Sequence, residues 1–174
     1  MKGNISPLGS IILPVYNGEE FLAQSLQSCI DQTHHNLEII IVNDCSTDTS
    51  LAIATSFAAN DERIKIINNV INLKLPASLN VGHHAAKGEF ISWASDDNMY
   101  HHNAIEVLLQ QLVETSSDIT FSGYQMIEHN GKNRREVQPL TDIHIVLSNC
   151  IGASFLYKSV VLSGTMDIMK ICIQ

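Results

Sequence analysis

The run Glu38–Val42 (EIIIV) restricts the fold more than any other stretch of the chain. It is β-branched and shows no apolar/polar alternation, so as a strand it needs cover on both faces. Strands of that kind belong to parallel sheets sandwiched by helices. The segments around it fit. Ser10–Val15, Ile64–Ile67, Phe90–Ala94 and Ile119–Tyr124 are further short apolar runs bounded by turn residues. Between them lie segments with helical spacing. Glu19–Gln32 carries Phe21, Leu22, Leu26, Cys29 and Ile30, with Glu19 and Glu20 placed for the positive end of the helix dipole. A second helix runs through Leu51 and Phe57 to about Ala59, capped by Ser46 or Thr47. A third starts near Pro76 and ends near Lys87, and Ala104–Thr115 is a fourth. The expectation is an α/β fold with a mainly parallel sheet. Asn130-Gly131 is a hairpin signal, and Ile151–Tyr157 is a candidate further strand.

Length and charge narrow the function. The 174 residues suffice for one domain with a sizeable core. A net charge of −8 argues against nucleic acid as a partner. No run of about 18 apolar residues is present, so no membrane span is expected. The first residues, MKGNISPLGSIILPVY, lack a small-residue cleavage site, which argues against a signal peptide. The scattered Cys29, Cys45, Cys150 and Cys172 form no CxxC and read as reduced thiols of a cytoplasmic protein.

Three of the expected strands end in polar clusters: Tyr16-Asn17, Asn43-Asp44 and Ser95-Asp96-Asp97. Carboxyl ends of parallel strands share one rim of the sheet, where ligands of open α/β folds bind. The adjacent aspartates repel each other unless a cation or donors sit between them, and hard oxygen ligands suit Mg²⁺ or Mn²⁺ shared with substrate phosphates. The plainer reading is a solvated Asp-Asp-Asn turn capping the next helix. Packing does not require three polar clusters on one rim, whereas a nucleotide site accounts for them together. The chain has no GxGxxG, no GxxxxGK[ST] and no GxSxG, which argues against dinucleotide-dependent dehydrogenases, P-loop nucleotidases and α/β-hydrolases.

Four blocks at these positions resemble the inverting family 2 glycosyltransferases of GT-A fold. They are Pro14-Val15-Tyr16-Asn17, then Val42 to Asp48, then Asn80-Val81-Gly82 with Ala86-Lys87-Gly88-Glu89, and Ser95-Asp96-Asp97-Asn98. The last block is similar to the spore-coat polysaccharide glycosyltransferase type. The resemblance is close from about Ile11 to Tyr100 and looser beyond. It implies a GT-A nucleotide-diphospho-sugar transferase fold over 1–174, Rossmann-like. About 8–130 would be the nucleotide-binding half and 131–174 the start of an incomplete acceptor-side half. It implies that Pro14, Val15, Tyr16, Asn17, Glu19, Asp44, Lys74 and Asp96 line the donor nucleotide. Tyr16 and Asp44 would meet the base, Lys74 the base or phosphate, and Asp96 the ribose. Asp97 would hold Mn²⁺ or Mg²⁺ on the diphosphate. The sequence departs from the family where Ser95 replaces the first acid of the DXD-type cluster and Asn43 replaces one of a paired aspartate. The family's catalytic base follows the part matched by Ser154–Tyr157, beyond the end of this chain, and Asp167 stands in an unlike context.

The implied activity is metal-dependent, inverting transfer of a sugar, with UDP favoured, to a saccharide or lipid-linked acceptor of a surface polysaccharide. The location would be the cytoplasm or the inner face of the cell membrane. Two alternatives stay open: a donor-binding module without transferase activity, and a flavodoxin-like domain binding Mg²⁺ alone. His34-His35 reads as a surface loop and His83-His84 as helix residues without a ligand role. His101 stands four residues after Asp97 but reads as a helix-start residue, and Trp93 reads as core. The apolar tail, LSGTMDIMKICIQ, would favour self-association into a homodimer.

Overall fold

A computed structural model of the chain describes residues 6–127, 134–137 and 155–159. The order is β1 (Gly9–Val15), α1 (Leu22–Ile30), β2 (Leu37–Asn43), α2 (Ser50–Ala58), β3 (Ile64–Asn68), α3 (Lys74–Ala85), β4 (Phe90–Trp93) and α4 (Ala104–Glu114). Then come β5 (Ile119–Phe121), β6 (Tyr124–Ile127), β7 (Arg134–Val137) and β8 (Phe155–Lys158). The main sheet runs β3-β2-β1-β4-β8-β5. Its first four strands are parallel, and β8 is antiparallel to both neighbours. This is the expected mainly parallel sheet flanked by helices.

Burial explains the non-alternating runs. In β1, Ile11, Leu13 and Val15 face one side and Ile12 the other; in β2, Ile39 and Ile41 oppose Ile40 and Val42. The first set packs with Leu22, Leu26 and Cys29 of α1 and Ala54 of α2, the second with Leu79 of α3. Burial pushes the Cys29 thiol up to about 12, so it stays a protonated core group.

Several sequence expectations are corrected. The expected strand Ile119–Tyr124 breaks at Ser122-Gly123; its second part pairs with β7 as a separate two-stranded sheet. The hairpin turn at Asn130-Gly131 lies outside the described residues, as do Cys150, residues 151–154, Asp167, Cys172 and the tail. β8 enters between β4 and β5, a neighbour relation that local periodicity does not encode. Glu19 and Glu20 precede α1 instead of forming its first turn. Ser46 and Thr47 do not cap α2; Asp48 Oδ1 accepts from the Ser50 N–H at 3.0 Å instead. His34 is buried, bonded to the Pro7 carbonyl at 2.9 Å, because β2 brings its loop under the segment before β1.

The rim opposite the polar strand ends is tied by Glu38. Its buried carboxylate accepts from Ser10 Oγ (2.7 Å), Lys65 Nζ (2.6 Å) and the Lys87 N–H (2.5 Å). The Gly88 N–H donates to Ser10 Oγ at 2.9 Å. A Cβ on Gly88 would lie 2.7 Å from Ser10 N and 2.9 Å from the Gly9 carbonyl carbon, both backbone. Gly88→Ala is therefore expected to cost about 1–3 kcal/mol through forced backbone displacement, read as a lower urea midpoint at unchanged slope. Unchanged stability would show that this rim yields freely.

Candidate functional site

The sheet order reverses its direction of growth at β1, which is flanked by β2 on one side and β4 on the other. The crevice between the carboxyl ends of β1 and β4 is the usual ligand position of such a sheet. Tyr16 and Asn17 follow β1, Asp44 follows β2, and Asp96 and Asp97 follow β4. The structure thus brings the three polar clusters to one rim.

Asp44 is the most constrained of these groups. It is 3% exposed. Its Oδ1 accepts from Asn69 Nδ2 and from the Leu73 N–H, both at 2.8 Å, and its Oδ2 from the Lys74 N–H at 2.8 Å. The carboxylate therefore caps α3 from another element and sits at the positive end of that helix. Burial pushes its pKa up, but the hydrogen bonds from Asn69, Leu73, Ser78 and Lys74 outweigh burial and hold it below the usual carboxylate value. Oδ2 retains acceptor capacity for a further donor.

Lys74 opens α3 with φ 69°, and its ammonium lies 5.9 Å from the centroid of the Tyr16 ring. Tyr16 is 48% exposed, and the loop after β3 exposes Val70 and Ile71. An aromatic face, a cation and a buried carboxylate thus stand together. Asn17 (φ 54°) and Cys45 (φ 63°) are also left-handed. Left-handed residues after β1 and β2 and at the start of α3 mark a place where the surrounding structure imposes conformation, as at functional sites.

Asp96 stands over Gly18. A Cβ there would lie 2.0 Å from Asp96 Oδ2 and 3.0 Å from Asp96 Cβ. Burial first, then the neighbouring Asp97 and Asp48 charges, raises the Asp96 carboxyl above its ordinary value. Asp97 is exposed. Among the described residues no three His, Cys, Asp or Glu side chains gather into a metal cage. One or two carboxylates completed by substrate phosphates is how Mg²⁺ is commonly held, and Asp97 beside Asp96 fits that donor set.

Pro14, Val15, Asn17 and Glu19 lie on β1 and in the loop that follows it. Pro14 and Val15 are buried within β1, and the Val15 carbonyl accepts from the Asp44 N–H at 2.8 Å. Asn17 Oδ1 accepts from the Thr47 N–H at 2.8 Å. Glu19 Oε2 accepts from Thr49 Oγ1 at 2.6 Å and from its N–H at 2.9 Å, and these bonds lower its pKa. These side chains shape the rim by joining the loops after β1 and β2. His101 bonds Asn103 at the start of α4, at 2.6 Å. Trp93 packs edge-on against Phe155 with ring centroids 6.0 Å apart. A shallow groove of about 590 Å³ between α1, Phe57 and Met99 includes none of Tyr16, Asp44, Lys74, Asp96 or Asp97.

Sequence reasoning missed Asn69, Asp48, Ser25, Ser28 and Gln32. The last three repeat at i, i+3 and i+7, so they share one helical face beside Leu22, Leu26 and Cys29, and that spacing was the available signal. Among the described residues no helix is long and apolar enough to cross a membrane.

Comparison with known proteins agrees with this geometry. The family model "Glycosyl transferase family 2" matches residues 10–166. The chain is 32% identical over 129 residues to glycosyltransferase GlyG of Streptococcus pneumoniae serotype 4, covering 74% of this chain and 43% of that protein. It is 30% identical over 128 residues to TuaG of Bacillus subtilis strain 168, a glycosyltransferase provisionally assigned to teichuronic acid biosynthesis, covering 74% of this chain and 51% of that one. A Rickettsia felis glycosyltransferase is 34% identical over 135 residues, 76% of this chain and 22% of that protein. The chain thus spans from about a fifth to about half of these relatives. Among solved structures, Staphylococcus aureus TarS 1-349 in complex with UDP-GlcNAc superposes with a TM-score of 0.74 at 22% identity, over 89% of this chain and 46% of that one. The mannosyltransferase PcManGT of Pyrobaculum calidifontis, in complex with GDP-Man and Mn²⁺, superposes with a TM-score of 0.71 at 14% identity, over 90% of this chain and 46% of that one. These likenesses show a GT-A fold. With the family model spanning both the sheet and its polar rim, the chain belongs to glycosyl transferase family 2.

Proposed function

We propose that this chain binds a nucleoside-diphosphate sugar, preferentially a UDP-sugar, at the β1/β4 rim. The sugar would then be transferred to a surface-polysaccharide acceptor with inversion. The observation that supports this most is the meeting of Tyr16, Lys74 and Asp44 at one end of the rim with Asp96 and Asp97 at the other. The Tyr16 ring stacks the base, and Lys74 adds its charge to that aromatic face. Asp44 Oδ2 accepts from a base N–H, and its other hydrogen bonds keep it ionised for that task. Asp96, half-buried over Gly18, accepts from ribose hydroxyls. Asp97 would hold Mn²⁺ or Mg²⁺ with the donor diphosphate; when bound, the metal offsets the charge that develops on the departing nucleoside diphosphate. The UDP-GlcNAc complex of TarS and the TuaG relative support a sugar-nucleotide donor and a polysaccharide product.

Calorimetric titration of UDP with and without Mn²⁺, on the native chain and on Asp97→Asn, tests this reading. The native chain is expected to bind UDP more tightly with Mn²⁺, and the substitution to remove that enhancement. Absence of UDP binding under both conditions would defeat the proposal. Release of free sugar from the donor then separates a transfer-competent chain from one that only binds.

A further inference from the structure

Ser25 and Gln32 are fully buried, and Ser28 is partly so. Buried polar side chains persist where their hydrogen bonds are made. Those of Ser25, Ser28 and Gln32 reach one segment, the loop between β4 and α4. Ser25 Oγ donates to the Ser95 carbonyl at 2.8 Å, and Ser28 Oγ accepts from the Tyr100 N–H at 3.1 Å. Gln32 Nε2 donates to the His101 carbonyl at 2.9 Å, and its Oε1 accepts from the Ile105 N–H at 3.0 Å. The first two anchors bracket Asp96–Met99. The Ser95 carbonyl also accepts from the Asn98 N–H at 3.2 Å. Ser25 therefore holds the carbonyl that closes the turn carrying Asp96 and Asp97.

We infer that Ser25, supported by Ser28 and Gln32, is a positioning residue for the ribose–diphosphate end of the donor site: it fixes the turn at 95–98 so that Asp96 and Asp97 present their carboxylates together. The inference rests on the donor-site reading above. It separates the rim into two independently supported ends. The base end is held by Asn69, Leu73 and Lys74 around Asp44, and none of the three α1-side residues bonds to those groups. The ribose–diphosphate end hangs from α1.

The experiment compares Ser25→Ala and Ser25→Thr with the native chain, titrating UDP in Mn²⁺ and, separately, uracil, which lacks both ribose and diphosphate. Losing one net hydrogen bond at the turn is expected to weaken UDP binding in Mn²⁺ by about tenfold. The Mn²⁺ concentration at half-saturation should rise as well. Uracil affinity should stay within about twofold, and Ser25→Thr, which keeps the hydroxyl, should recover most of the UDP affinity. Equal weakening of UDP and uracil would mean general destabilisation and would overturn the inference. Native UDP affinity and native metal dependence in Ser25→Ala would also overturn it while leaving the donor-site reading intact. A native chain that binds neither ligand removes both. Should Ser25→Ala not fold, Ser28→Ala gives the same split reading, since it removes the acceptor of the Tyr100 N–H, the other anchor of the turn, at a partly buried position.

Discussion

Asp44→Ala is expected to destabilise the domain by about 1–3 kcal/mol and to abolish nucleotide binding. The substitution leaves the Leu73 N–H without its acceptor, while Asn69 Nδ2 keeps Ser78 Oγ and the Lys74 N–H keeps Asn72 Oδ1, both at 3.0 Å. A buried donor left unpaired costs about 1–3 kcal/mol. The substitution also frees Lys74 from its left-handed conformation at φ 69°, and the relieved strain of about 1–2 kcal/mol offsets part of that cost. Lys74 would then leave the Tyr16 ring, so the base end would lose its carboxylate and its cation together. Acid should reveal the same bond set. The folded carboxyl lies below its ordinary value, so its stabilisation is complete above the unfolded pKa of about 4 and drains as the pH falls through the depressed folded value. Urea midpoints of the native chain and Asp44→Ala should therefore converge over the interval below about pH 4. A gap that stays constant over that interval would show that the charge of Asp44 is not what holds the loop.

Gly18→Ala is expected to leave the fold standing and to remove donor binding. The new methyl would fall 2.0 Å from Asp96 Oδ2, so the carboxylate must rotate away from the β1/β4 crevice. The obstacle is a side chain rather than backbone, in contrast to Gly88, where the clash is with β1 itself. The Gly18 N–H bond to Ser50 Oγ at 2.9 Å survives, since alanine keeps the donor. UDP affinity should fall by tenfold or more, roughly the loss of a charge-assisted hydrogen bond, while the thermal midpoint shifts by only a few degrees. Native affinity in this variant would place the ribose elsewhere than at Asp96. A large stability loss would instead assign Gly18 a structural role.

The four parallel strands and their helices were legible because each is a short run with one dominant period. β-branched residues with no alternation, as in Glu38–Val42, admit few other fates. The polar strand ends were legible too, because Asp44, Asp96 and Asp97 interrupt apolar runs abruptly. What stayed hidden depends on partners far away in the chain. Glu19 and Glu20 look like first-turn acids, yet the Gly18 carbonyl starts α1 later and Glu19 turns to Thr49. His34 looks like a loop residue until Ser6 and Pro7 cover it.

From residue order alone came the α/β class, the rim and the identity of its aspartates, since periodicity and strand-end chemistry are local properties. Assembly in space added the entry of β8 between β4 and β5, the capping of α3 by Asp44, the seat of Asp96 on Gly18 and the suspension of the acidic turn from Ser25. Each of these joins groups separated by tens of residues. Sheet order and hydrogen-bond geometry, rather than any local period, bring such groups within reach of one another.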